Sequence, residues 1–232
     1  MISTAPSRIL AVCLPTLATD RIFRLRKALQ NKAPSTIISG GLPSQVAFVT
    51  VLPVKGALRL AAVDAVAVRL GLTPGMALAD ARARHPGLDT APADPQAETA
   101  LLTDIAAWCR RYTPLAAPDA PDGVFLDSAG AAHLFGGEAA LLADLCARLA
   151  AQGFAATAAI AATPEAAWAL ARCAPGTIAP ALLDARAAAR LYHPLPLAAL
   201  RLPPGTLAGL AQAGLRRIGD VALRPRAPIV AR

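Results

Sequence analysis

The first clear pattern is a continuous apolar run, "RILAVCL" at residues 8–14. It has the length of a strand and the composition of one covered on both faces. A helix is predicted behind it at 18–32, "ATDRIFRLRKALQNK". Thr19 or Asp20 would cap it, with Ile22, Leu25 and Leu29 on one face and Arg21, Arg24 and Lys32 elsewhere. The Gly, Pro and Ser of "SGGLPSQ" at 39–45 mark a loop. "VAFVTVL" at 46–52 then reads as a strand paired with "ALRLAA" at 57–62, followed by two short helices at 63–70 and 76–84.

From residue 93 the periodicity lengthens. "ADPQAETALLTDIAAWCRRY" is a helix burying Leu101, Ile105, Ala106 and Cys109. "TPLAAP" and "GVFLD" are short strands joined by a Pro-Asp turn. "GGEAALLADLCARLAAQG" is a helix stopped by Gly153, and "FAATAAIA" is a strand. "TPEAAWALARCAPG" carries its own punctuation: Thr163 as N-cap, Pro164 at the first helical position, Gly176 beyond the end. The order β, insertion, α, β, β, α, β is the split βαβ, ferredoxin-like arrangement, with an α/β insertion after strand one. The fold class expected is therefore α+β (mixed α/β), with an arginine- and proline-rich helical unit after Gly176.

Composition changes this picture in two respects. Alanine supplies much of the 55% hydrophobic content, and the apolar stretches are broken by Pro and Gly, so a soluble chain is expected rather than a membrane span. The start, "MISTAPSRIL", lacks the charged and apolar regions of a signal peptide. Cys13, Cys109, Cys146 and Cys173 form no C-x-x-C pair and are expected to be reduced and mostly buried. The net charge is +8, and nearly all the positive charge is arginine, whose planar fork suits phosphate. A domain this basic carries the footprint of nucleic-acid binding, which genomic composition bias can also produce.

Four segments, in order, resemble the Y-family (UmuC-like) translesion DNA polymerases. They are "RLGLTPGMALADARARHPGL", "YTPLAAPDAPDGVFLDSAGAAHLFGG", "GFAATAAIAATPEAAWALARCAPG" and "LPPGTLAGLAQAGLRRIGDV". The resemblance implies a ferredoxin-like palm, an inserted α/β fingers subdomain and a small helical thumb, with the family's little-finger domain absent. The boundaries expected are 1–17 for the first palm strand, 18–91 for the fingers, 92–178 for the remaining palm and 179–232 for an incomplete thumb. The thumb segment is similar to a degraded helix-hairpin-helix.

Polymerase chemistry of this kind needs two divalent ions held by carboxylates. The positions resembling the family's ligands are Cys13, Asp122 and Gly123, a degenerate set with one carboxylate. Asp122 also has a plain reading as the first residue of an Asp-Gly turn. Asp127, five residues on, is expected on the opposite face as a strand-end acceptor of backbone N–H groups. Ala65 and Val68 stand near the family's triphosphate-binding Tyr and Arg, Pro164 and Trp168 near its lysines, and Ala18 near its sugar gate. Losses at all these positions resemble the catalytically defective ImuB-type proteins of bacterial mutagenesis cassettes. "LPTLATDR", "TPGMALADARAR" and "TPEAAWALAR" also look at home in that group.

The resemblance implies a non-catalytic, DNA-associating adaptor of error-prone translesion synthesis in the DNA damage response. It would be cytoplasmic, and nucleoid-associated when bound to DNA. No cofactor is expected. Magnesium enters only under the first alternative, an active polymerase with relocated ligands; the second alternative is a DNA-independent interaction module. By resemblance the partners are DNA, the sliding clamp, a small cassette protein and an error-prone polymerase, although the clamp-contacting C-terminal region of the family is expected to be absent. DNA would be met through phosphates by Arg21, Arg24, Arg26, Lys27 and Lys32 on the first helix, and by Arg216, Arg217, Arg224 and Arg226 in the thumb, together with helix N-termini. His85, His133 and His193 are read as structural, Trp108 and Trp168 as core, and Gly136-Gly137 as a loop. Asp122→Ala is expected to leave stability nearly unchanged.

Overall fold

The fold was obtained as a computed structural model that describes residues 7–32 and 46–224. The loop expected at 39–45, the side chain of Lys32 and Arg226 lie outside the described residues.

Strand β1 (Ile9–Cys13) is the centre of a four-stranded antiparallel sheet. Its neighbours are β6 (Gly123–Asp127) and β7 (Thr157–Ala161), and β5 (Ala116–Asp119) is added outside β6. This is the ferredoxin-like order expected from the sequence. The register sets Val12 opposite Val124 and Ala158, and Cys13 opposite Gly123 and Thr157.

Alternation along β1 feeds two cores, because successive side chains leave a strand on opposite faces. Leu10, Val12 and Leu14 join Val124, Leu126 and Ile160 in a large-residue core. It is completed by α4 (Pro95–Cys109), through Leu102, Ile105 and Cys109, and by α5 (Glu138–Ala151), through Leu141, Leu145 and Leu149. Ala11 and Cys13 face the other way, with Ala159 and Ala161, onto α6 (Pro164–Cys173). That second face is built from alanines on both sides, so helix and sheet approach closely. The chain continues into α7 (Ala185–Tyr192), a 3-10 turn (Leu197–Leu200), α8 (Pro204–Gln212) and α9 (Ile218–Ala222). Leu195 and Ala199 dock this unit on the alanine face.

Between β1 and α4 lies the insertion. It comprises α1 (Leu17–Lys32) and a three-stranded sheet of β3 (Ala57–Val63), β2 (Phe48–Val54) and β4 (Asp89–Pro92), with α2 (Ala65–Arg69) and α3 (Leu78–Arg84) packed on it. Strand β4 was not expected from the sequence. Its residues, "DTAP", are assigned no element by the sequence pattern and form a strand through parallel pairing with β2.

Two expectations for α1 are corrected. The helix begins at Leu17, ahead of Thr19 and Asp20. Asp20 sits in the first turn, where its carboxylate accepts from the Thr16 hydroxyl (2.9 Å) and from the backbone N–H of Ala155 (2.9 Å). The helix is thereby tied to the segment before β7. Leu25 and Leu29 are not buried but 49% and 69% exposed. The cap and stop of α6 are as read, with Thr163 accepting from the N–H of Ala166.

Candidate functional site

At the C-terminal end of β1 the pairing with β6 continues through a bond from the Leu14 N–H to the Asp122 carbonyl (2.8 Å). This brings Cys13 and Asp122 together as expected: the thiol donates to Asp122 Oδ2 at 3.8 Å. The other carboxylate oxygen, Oδ1, is held by Arg172 Nη2 from α6. Burial pushes the Cys13 thiol up from its ordinary 9.0 to about 11, against the pull of the Arg172 guanidinium. Cys13 is only 3% exposed, so the sulfur here is a protonated, buried donor. Gly123 leaves no side chain in the site. A Cβ there would lie 3.0 Å from the Asp119 carbonyl oxygen and 3.1 Å from its Oδ2.

Arg172 belongs to a larger cluster. Its guanidinium lies 4.0 Å from the centre of the Trp168 ring, one helical turn earlier on α6. Arg201, just past the 3-10 turn, stacks on the same indole at 4.9 Å and donates to Asp119 Oδ1 at 2.9 Å. Two arginines, two aspartates and one tryptophan thus form a charge-balanced group where β5, β6, α6 and the C-terminal helices meet. Three of its polar atoms, Asp119 Oδ2, Trp168 Nε1 and Arg172 Nη1, are buried without a hydrogen-bond partner in the structure.

Sequence reading missed Arg172, Arg201 and Asp119, and took Trp168 for plain core. The Trp168/Arg172 spacing of four was a legible signal, since side chains one turn apart meet on a helix. Nothing local pointed to Arg201 or Asp119.

Asp127 is where it was expected, at the far end of β6, accepting from the Ala129 N–H at 3.0 Å. Among the described residues, no three or more His, Cys, Asp or Glu side chains gather as a metal cluster would. His85 and His193 cap the C-termini of α3 and α7. The four cysteines are free thiols, two of them buried.

The basic residues divide into committed and open ones. On α1, Arg24 donates to the Gln152 carbonyl and stacks on Phe154 at 4.2 Å. Arg26 pairs with Asp89 at 2.5 Å and lies over Phe48 at 4.7 Å. Arg21 is half-buried and Lys27 exposed. Arg216, Arg217 and Arg224 are exposed in the C-terminal unit. The expectation that helix N-termini there offer free amides is corrected for α9. The Arg216 and Arg217 N–H groups donate to Asp220 Oδ2 (2.9 and 2.8 Å), Ile218 N–H to the Leu195 carbonyl and Gly219 N–H to the His193 carbonyl. These amide bonds hold the Asp220 carboxyl below the usual carboxylate range.

The impB/mucB/samB family model matches residues 27–172, more than half of the chain. The chain belongs to the impB/mucB/samB family. Protein ImuB of Caulobacter vibrioides, in two strains, is 49% identical over 164 residues. That match takes in 70% of this chain but only 35% of the ImuB chain, so the chain spans about a third of the length of these relatives. The fold is shared with DinB from Sulfolobus solfataricus, at a TM-score of 0.70 and 12% identity over 96% of this chain and 62% of that one. It is shared equally with the insertion ternary complex of Dbh DNA polymerase, at a TM-score of 0.67 and 13% identity, with the same coverage. The architecture is that of Y-family polymerases. No described helix is long and apolar enough to cross a membrane.

Proposed function

We propose that this chain is a non-catalytic, DNA-associating adaptor in error-prone translesion synthesis during the DNA damage response. The observation that carries the reading is the Asp122–Arg172 ion pair. A polymerase of this architecture needs carboxylates free to hold two divalent ions. Here Cys13, Asp122 and Gly123, which resemble the ligand positions, supply a protonated thiol, one carboxylate already neutralised by a guanidinium, and no side chain. Such a donor set does not suit a divalent ion: the neighbouring positive charge repels it, and two of the three anionic ligands are lacking. The 49% identity to Protein ImuB supports placing the chain in mutagenesis-linked DNA metabolism.

DNA would be met through phosphates by the open cations Lys27, Arg216, Arg217 and Arg224, with Arg21 at the margin, so that affinity is insensitive to sequence and falls steeply with salt. The sliding clamp, a small cassette protein and an error-prone polymerase remain the proposed partners, and the cytoplasm its proposed location. A second reading, a DNA-independent interaction module, is favoured by the internal engagement of Arg24, Arg26 and the α9 amides.

Two assays on the purified chain decide among these readings. No extension of a primed template is expected with magnesium or manganese, and template-dependent synthesis would overturn the non-catalytic assignment. A salt series on the same template should show binding that weakens steeply. Absence of binding even at low salt would select the interaction module.

A further inference from the structure

We propose that Trp168, clasped by Arg172 and Arg201, is a latch that fixes the C-terminal helical unit on the four-stranded sheet. The apolar contact between the two parts is made by Leu195 and Ala199, with Leu191, Tyr192 and Ile218 partly buried beside them, against an alanine-rich face of α6 and the sheet. Alanine surfaces are smooth. They bury area but provide few ridges and grooves to set the orientation of what docks on them. Bonds with defined geometry add direction to such a contact, and the Trp168 cluster supplies them. Arg201 leaves the end of the 3-10 turn in a left-handed conformation (φ 55°). It reaches across to Asp119 at the end of β5 and covers one approach to the indole. Arg172 stacks on the same indole and is anchored on Asp122 beside β1. The chain from Asp122 through Arg172, Trp168 and Arg201 to Asp119 therefore ties the β5–β6 turn to α6 through Asp122 and to the helical unit through Asp119.

The orphaned Asp119 Oδ2, Trp168 Nε1 and Arg172 Nη1 make this a releasable joint. Their burial opposes closure, since desolvated polar groups without partners are costly. Opening would return all three to water. The inference concerns the chain alone and stands apart from its affinity for DNA.

The test is amide hydrogen exchange on the full chain without DNA, on wild type, Arg201→Met, Asp119→Asn and the double variant. The Arg201 side chain is 40% exposed, so its replacement by Met is not a core lesion; circular dichroism checks that each variant is folded. In either single variant, exchange across α7, α8 and α9 should rise by about fivefold to tenfold, while β1 and β6 amides keep their protection. The double variant should loosen the unit no more than Arg201→Met alone, because that variant already removes both the bond to Asp119 and the stack on Trp168. Unchanged exchange in α7–α9, loosening spread evenly over the sheet, or effects that multiply in the double variant would each overturn the latch.

Discussion

Asp122 shows how a partner changes the meaning of a residue. As the first member of an Asp-Gly turn it would be dispensable; paired with Arg172, with 26% and 18% of the two side chains exposed, it is not. Removing one member of a half-buried pair strands the other charge, which costs more than the pair itself is worth. Asp122→Ala is therefore expected to destabilise the chain by about 1–3 kcal/mol, where the sequence alone leads to an expectation of a near-neutral effect. Asp122→Asn combined with Arg172→Met should recover much of that loss, read as a positive coupling energy in urea unfolding. Additive losses would mean that the two side chains act separately. The thiols make a second residue-scale prediction. Burial raises Cys13 to about 11 and Cys109 to about 12 from an ordinary 9.0. Above pH 9 the unfolded chain releases these protons while the folded chain keeps them. The folded state then binds more protons, and stability falls as pH rises from 9 toward 12. The urea midpoint should decline across that range and less steeply in Cys109→Ala, measured against the same variant at pH 7.

At the scale of elements, the contact between α7 and α9 depends on one glycine. A Cβ on Gly219 would lie 2.9 Å from the His193 Cβ and 3.3 Å from the His193 carbonyl oxygen. That carbonyl also accepts the Gly219 N–H at 3.0 Å. Helix propensity favours alanine over glycine by up to about 1 kcal/mol, but overpacking against a fixed backbone costs about 1–3 kcal/mol. The clash should win. Gly219→Ala is expected to lower the thermal midpoint and expose α9 to exchange, whereas Gly209→Ala on α8, with open space at its Cβ, should be neutral or stabilising. The elements readable in the sequence were those with their own punctuation. Strand β1 stood out by its unbroken apolar run, and α6 by Thr163, Pro164 and Gly176. Strand β4 was not legible, because it is settled by its partner β2 elsewhere in the chain; the true start of α1 was misplaced although its bonds, Asp20 N–H to the Thr16 carbonyl and the Thr16 hydroxyl to Asp20, are local.

For the whole molecule, a net charge of +8 favours polyanions in general and does not say which residues would carry a contact with DNA. If DNA is bound as proposed, the open cations should carry the salt dependence and the committed ones should not. Arg216→Ala with Arg217→Ala should lower the log–log salt slope by about two, close to one for each phosphate that is no longer neutralised, on every sequence tested. Arg26→Ala, which breaks the pair with Asp89, should leave the slope unchanged and act on stability alone. Equal slopes for the double variant and wild type would remove the C-terminal unit from the interface.

Strand period, helix caps and chain order are local properties, so the succession of strands and the insertion after β1 were legible from the residues, while the proximity of Cys13 to Asp122 followed from the ferredoxin-like topology and the family resemblance. That resemblance was itself contained in the sequence. Tertiary structure alone decided what surrounds Asp122. Arg172 is 50 positions away and Arg201 lies 82 positions from Asp119, and no local pattern selects one arginine among so many. The same holds for Arg24 and Arg26, which read as surface charge until Gln152, Phe154, Asp89 and Phe48 were beside them. A charge is legible in the sequence; its counter-charge is a property of the packed chain, since electrostatic partners are chosen by distance in space and by shared burial.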